Sequence, residues 1–407
     1  MTILSSSRQV LATSLAVVAT LAVAGPAPAA AVATGQIQHA GSATAVDGSY
    51  VVVLRDGAVG AAAGTRRAAD TVPDLAAGLA RRYGGSVTQV YGAALNGFAI
   101  RLAESAAERL AAHPDVAYLE QDRTVTSNAV QRPTPSWGID RIDQRALPLN
   151  QTYHFEYVAS GVRAYIIDSG MRVTHSDFTS GRATSGYDAI DGGPADDCNG
   201  HGTHVGGTVG GLQYGVAKDV RLVAVRVIAC VRPSTVAEVI AGVNWVAANA
   251  VKPAVATLAV NASASAALDN AVNTAVASGV TFVVSAGNDA ANACHYSPAR
   301  VPTAITVAAT SQTDQRPAWS NTGTCLDLFA PGVAINSAWH TSAAASMSYS
   351  GTSMAAAHVA GAAVLVLAAN PTFTPAQVRD ALLAKATVGI VANPGTGSPN
   401  RLLHVGP

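Results

Sequence analysis

Four short blocks hold the reactive side chains of this 407-residue chain. Asp168-Ser169-Gly170 closes the apolar run 162–167. His201 follows Asn199-Gly200 and opens a glycine-lined stretch that reaches Gly207. Asn288 ends Ser285-Ala286-Gly287-Asn288, directly after the apolar run 280–284. Ser353 lies in Gly351-Thr352-Ser353-Met354-Ala355, at the mouth of an apolar stretch that runs to Ala369. Taken singly, each block has an ordinary structural reading. A strand-ending Asp turns or caps the chain, and Gly-Thr-Ser before a helix is an N-cap. His201 and His204 at i, i+3 have the spacing of metal ligands, but no third ligand or Glu general base follows to complete a zinc site. Together the blocks say more. A carboxylate, an imidazole and a hydroxyl, each at the end of a core element, are the parts of nucleophilic acyl transfer.

Those parts need elements to hold them. Near-continuous apolar runs at 162–167, 220–225, 254–260, 280–284 and 304–308 read as buried strands. Between and after them, helices are expected at about 201–211, 235–249, 265–278, 353–369 and 375–384. The alternation predicts an α/β fold with a doubly wound, mainly parallel sheet, whose ligands bind at the carboxyl ends of the strands. A smaller unit precedes it. Between residues 48 and 127 the pattern is strand, helix, one or two strands around Asn96-Gly97, helix and strand. That β-α-β-β-α-β order predicts a ferredoxin-like α+β unit, which by itself decides no function.

Composition narrows the classes. Lys+Arg and Asp+Glu balance at 25 each, only 12% of residues are charged, and 49% are hydrophobic. With no basic run to neutralise phosphates, nucleic acid is not an expected partner. Arg8, the apolar stretch Val10 to Ala24 and the small residues Gly25 to Ala31 describe a signal peptide cut near Ala29 or Ala31. The apolar run falls short of the roughly 20 residues a membrane span needs, so no membrane partner is expected. In an oxidising compartment Cys198, Cys230, Cys294 and Cys325 are expected to form disulfides, with three pairings open.

The Asp168, His201, Asn288 and Ser353 blocks resemble the signature blocks of the subtilisin-like serine proteases, in the Asp–His–Ser chain order known for subtilisin. Within that family the resemblance is to the proteinase K branch, and there especially to aqualysin. It rests on 137–145 (Trp137 to Arg145), Asp197-Cys198-Asn199-Gly200 and Ser398-Pro399-Asn400-Arg401-Leu402-Leu403. It implies a signal peptide at 1–31, an inhibitory propeptide at 32–127 and a peptidase domain at 128–407, with no further carboxyl-terminal domain. It implies a secreted, monomeric serine endopeptidase acting on protein or peptide substrates, with its own propeptide as intramolecular inhibitor and self-cleavage near 127–129. Ser353 would be the nucleophile, His201 the base, Asp168 its orienting carboxylate and Asn288 an oxyanion donor. His204 would be structural. The implied disulfides are Cys198–Cys230 and Cys294–Cys325. Structural calcium is implied at Asp327 with the Pro302 and Ala304 carbonyls. A second calcium site is implied at Asp140, Asp143 and Gln144, with Asn150 and Thr152 nearby.

The chain also departs from the family pattern. Where the family usually reads Ser-Leu-Gly-Gly it has Ala259-Val260-Asn261-Ala262, and after Cys230 it has Val231-Arg232-Pro233-Ser234 instead of a Gly-rich segment. Ala356-Ala357 replaces the usual Thr-Pro. The first two of these segments normally clamp the substrate backbone, and Pro233 has no N–H to donate. Subsite preferences are therefore not carried over. The competing reading is a non-catalytic, peptide-binding homologue that kept the fold.

Overall fold

The computed structural model describes residues 33–42, 45–59, 71–123, 129–155, 159–179 and 181–406. The expected signal peptide at 1–31 lies outside them, as do residues 124–128 of the expected processing region. The chain divides into two compact units, Met1–Arg123 and Thr124–Pro407.

In the first unit, β1 (Ile37–Gln38), β2 (Ala45–Leu54), β3 (Ser86–Tyr91), β4 (Gly97–Arg101) and β5 (Val116–Arg123) form one sheet in the order β1-β5-β2-β4-β3. The Asn96-Gly97 region separates two strands. Helices α1 (Val72–Tyr83) and α2 (Glu104–Ala111) complete the β-α-β-β-α-β order. Thr71 and Asp74 form a capping box at the start of α1, and Gly84 ends it in a left-handed conformation. Val52, Leu79, Phe98, Ile100, Leu110 and Leu119 fill its core. Only β1 lacks a sequence signal, because two residues are too few to show a period.

The second unit begins with β6 (Ala129–Gln131), which pairs antiparallel with β7 (Tyr153–Phe155). Helix α3 (Trp137–Asp143) lies between them in sequence. Six further strands form a parallel array with β8 (Arg163–Asp168). They are β9 (Ala183–Asp188), β10 (Arg221–Arg226), β11 (Ala254–Leu258), β13 (Thr281–Ser285), β15 (Ile305–Thr310) and β16 (Leu328–Pro331). The order is β9-β10-β8-β11-β13-β15-β16, with β20 (Arg401–Leu402) and β19 (Thr387–Val388) at the far edge. Small pairs lie outside this sheet, β12 (Ala262–Ser263) with β14 (Tyr296–Ser297) and β17 (Ile335–Ala338) with β18 (Ser346–Tyr349).

Alternation along β8 sorts the helices. Ala164 and Ile166 face a core built with α4 (His201–Gly210), α7 (Thr352–Ala369) and α8 (Pro375–Lys385). Tyr165 and Ile167 face the other core, with α5 (Val236–Asn249) and α6 (Ala266–Ala277). Among the described residues α7 alone is long and apolar enough to cross a membrane, and it is instead the buried core helix. From β8 the chain goes to the outer strand β9, comes back to β10 beside β8, and then builds β11 through β16 on the other side. The order therefore reverses beside β8, and a crevice opens at its carboxyl end.

Candidate active site

Asp168 is the last residue of β8 and lies at that crevice, with 1% of its surface exposed. Its Oδ1 accepts the Ser169 N–H at 2.7 Å and meets His201 Nδ1 at 2.7 Å. His201 is the first residue of α4. Burial disfavours its imidazolium, but the adjacent Asp168 carboxylate and the charge of Asp197 outweigh burial and raise its pKa above the ordinary 6.5.

The start of α4 is tied to the end of β8. Asp197 Oδ1 accepts from the Ser169 hydroxyl at 2.9 Å and from the Gly200 N–H at 2.8 Å, while Oδ2 accepts the Thr203 N–H at 2.8 Å. Ser169 Oγ in turn accepts the Gly202 N–H at 3.0 Å. Gly200 has φ 103°, in the left-handed region, and a Cβ there would overlap the Trp339 indole. Tyr349, from the β17–β18 pair, sets its ring edge-on to His201 with centroids 6.1 Å apart. Asp197, Ser169 and Tyr349 were not assigned a role from the sequence. Asp197 stands within a turn of a helix start, which is the one local signal it offers.

Ser353 is the second residue of α7, so its backbone N–H is among those left unpaired at a helix N-terminus. Its hydroxyl donates to the Ala259 carbonyl at 3.1 Å. Asn288 follows the end of β13, and its Oδ1 accepts both the Thr352 N–H and the Thr352 hydroxyl at 2.9 Å. A backbone N–H must donate, so these bonds fix which end of the carboxamide is oxygen and free Nδ2 for another acceptor. A Cβ placed on Gly351 would lie 3.6 Å from that Nδ2 and 3.7 Å from the Ser353 nitrogen. Two N–H donors therefore border one small space, suited to a developing negative oxygen.

His204 is fully buried and its Nε2 donates to the Ile335 carbonyl at 2.9 Å. Burial lowers its pKa to about 4, so it is a neutral structural histidine that holds α4 to β17. Asn261, at a position expected to be glycine, donates from Nδ2 to Asp289 at 3.0 Å, one residue beyond Asn288. Val231 is 97% exposed, and Arg232 pairs with Glu238 at the start of α5. The disulfides are Cys198–Cys230 and Cys294–Cys325, the pairing the resemblance implied.

The two expected calcium sets differ. Asp140 and Asp143 lie one turn apart on α3, and Asp140 Oδ2 accepts the Gln151 N–H at 2.8 Å. Asp143 Oδ2 meets His154 Nδ1 at 2.7 Å, but Asp143 Oδ1 and Gln144 Oε1 are buried without a hydrogen-bond partner. Such orphaned acceptors are costly, and they suit a hard cation. Two of the oxygens around Asp327 have donors instead. Arg379 Nη1 donates to the Pro302 carbonyl at 2.7 Å, and the Thr306 N–H donates to Asp327 Oδ2 at 2.8 Å. In the set Asp327, Pro302 and Ala304 two oxygens are thus already engaged by N–H donors, one of them from an arginine of α8, and the set fits a calcium ion poorly.

Comparison with known proteins agrees with this geometry. A subtilase family domain matches residues 159–404, and a peptidase inhibitor I9 domain matches 49–128. The extracellular serine proteinase of Thermus sp. (strain Rt41A) is 54% identical over 322 residues, covering 79% of this chain and 78% of its own. The alkaline serine exoprotease A of Vibrio alginolyticus is 46% identical over 328 residues, 79% of this chain and 61% of its own. The crystal structure of a cold adapted subtilisin-like serine proteinase aligns with TM-score 0.64 at 49% identity, covering 66% of this chain and 97% of its own. The chain belongs to the subtilase family. It is a secreted, self-processing serine endopeptidase with an I9-type propeptide ahead of the peptidase domain.

Proposed function

We propose that Ser353 attacks the substrate carbonyl, with His201 as general base, Asp168 as its orienting carboxylate, and Asn288 with the Ser353 N–H as the oxyanion site. The observation that carries this reading is the 2.7 Å contact of Asp168 with His201 at the carboxyl end of β8. A neutral serine hydroxyl is a weak nucleophile. Turned from the Ala259 carbonyl towards His201, it loses its proton to the imidazole as its oxygen bonds to the carbonyl carbon. Proton transfer of this kind is worth about 10²–10⁴ in rate. Asp168 stabilises the imidazolium that forms, in keeping with the raised pKa of His201. The carbonyl oxygen becomes negative and is held by Asn288 Nδ2 and the Ser353 N–H, each such donor worth about 10²–10³. The imidazolium then gives its proton to the leaving amine, and water releases the acyl group by the reverse roles.

The reading extends to the whole chain. Residues 1–31 are a signal peptide, 32–127 an inhibitory propeptide and 128–407 a monomeric peptidase domain that cleaves its own junction near 127–129. The I9 match over 49–128 supports the middle boundary. Calcium at Asp140, Asp143 and Gln144 would supply no catalytic step and would tie α3 to the 144–154 loop.

Intact mass of the secreted protein, wild type beside Ser353→Ala, tests the assignment. The expected result is wild type cut between about 127 and 129 with the variant whole. Both whole, or both cut alike, would remove Ser353 as the nucleophile of self-cleavage.

A further inference from the structure

Arg379 reaches from α8 into the cradle formed by the 302–304 turn and Asp327. Its Nη1 donates to the Pro302 carbonyl at 2.7 Å, and its Nε lies 3.5 Å from Asp327 Oδ1. The other carboxylate oxygen is taken by the Thr306 N–H at 2.8 Å. Arg401 adds a second positive charge acting on the same carboxylate. Burial raises the Asp327 pKa in spite of both arginines, so it is the contact of Arg379, and not a surplus of charge, that occupies the cradle. A divalent cation entering here would compete with N–H groups for the Pro302 carbonyl and Asp327 Oδ2, and it would stand against the fixed positive charge of Arg379.

We propose that the Arg379 guanidinium is a built-in substitute for a metal ion, joining the Pro302 carbonyl to Asp327 so that this cradle binds no calcium. An ion and a tethered side chain do the same mechanical task by different means. A metal is lost when its free concentration falls, whereas a guanidinium on α8 is always present. Its fork of N–H groups also suits a carbonyl and a carboxylate side by side. The inference goes beyond the catalytic reading and uses none of its residues. A groove of about 730 Å³, lined in part by Pro302, Thr303, Phe373 and Asp380, opens onto the Arg379 side chain. Removing that side chain would therefore leave the cradle reachable from solvent.

Calcium titration by calorimetry, with melting temperature as a second readout, tests this on the secreted enzyme stripped of calcium and blocked by a serine-directed phosphonate. The proteins compared are wild type, Asp327→Asn, Arg379→Ala and Arg379→Met, the last keeping the aliphatic stem should alanine loosen α8. Asp327→Asn is expected to bind as many ions as wild type. The arginine variants are expected to bind one more, to melt below wild type in chelator, and to recover more than wild type when calcium is added. One ion fewer in Asp327→Asn, or no gained ion in both arginine variants, overturns the proposal. Because the readout is a difference between variants, it holds even if the Asp140–Asp143 set binds nothing.

Discussion

Asp197 helps to position His201 and adds a smaller contribution to its charge balance than Asp168 does. It accepts from Gly200 and Thr203 at the start of α4 and from Ser169 after β8, and its negative charge contributes to the raised pKa of the imidazole. The base must be neutral to act, so activity falls as pH drops through this raised value, which lies above 6.5. Asp197→Asn keeps the volume and removes the charge. Its His201 pKa is expected to fall, and the acid limb of the kcat/KM profile to move to lower pH; an unmoved limb would show that Asp197 only positions. At this scale the reactive residues were legible because each ends an apolar run or opens an apolar helix. Asp197 and the contact of Ser353 with Ala259 were not. They depend on chain segments that meet only after folding, and residue type gives no sign of that meeting.

Among the elements, the α4 start is the most constrained. Gly200 combines a left-handed backbone with an indole where a side chain would go. The backbone term alone costs about 1–3 kcal/mol for a residue with a Cβ. Gly200→Ala is therefore expected to lower both the melting temperature and kcat, since His201 is the next residue. Gly161→Ala, where the added methyl meets open space, is the control and should melt like wild type. Equal melting of all three proteins would refute the constraint. Five parallel strands, β8, β10, β11, β13 and β15, were predicted to within one or two residues because their apolar runs are continuous, whereas β16, four residues ending in proline, was not predicted. The edge strand β9 and the β17–β18 pair were missed. Ala183–Asp188 is half polar at a sheet edge, and β18 is exposed throughout, so neither has a hydrophobic period to read.

For the whole molecule, two buried neutral histidines weaken the fold in acid. Burial holds His204 and His358 at a pKa of about 4, below the ordinary 6.5. At these two sites the unfolded chain therefore takes up protons first, and the stability they contribute is full above 6.5 and drains as pH falls towards 4. Each group contributes at most about 3 kcal/mol over that range. Calorimetry of the phosphonate-blocked enzyme should show the melting temperature dropping between pH 6.5 and 5, before most carboxylates titrate. A flat profile there would mean the histidines are not kept neutral. The fold class was legible as alternating strands and helices, but the reversal beside β8 was not, since spatial order is decided by packing between elements remote in sequence.

The place of α7 in the chain has a consequence for timing. An exported polypeptide crosses the membrane with its amino-terminal end leading, so β8 and α4 emerge with Asp168 and His201 while Ser353 is still on the inner side. The helix that bears Ser353 packs against α4, β11, β13, β15 and β16, all of which precede it in the chain. The order of synthesis thus acts as a safety catch. The cell that makes the protease holds its parts apart until nearly all of the chain has left.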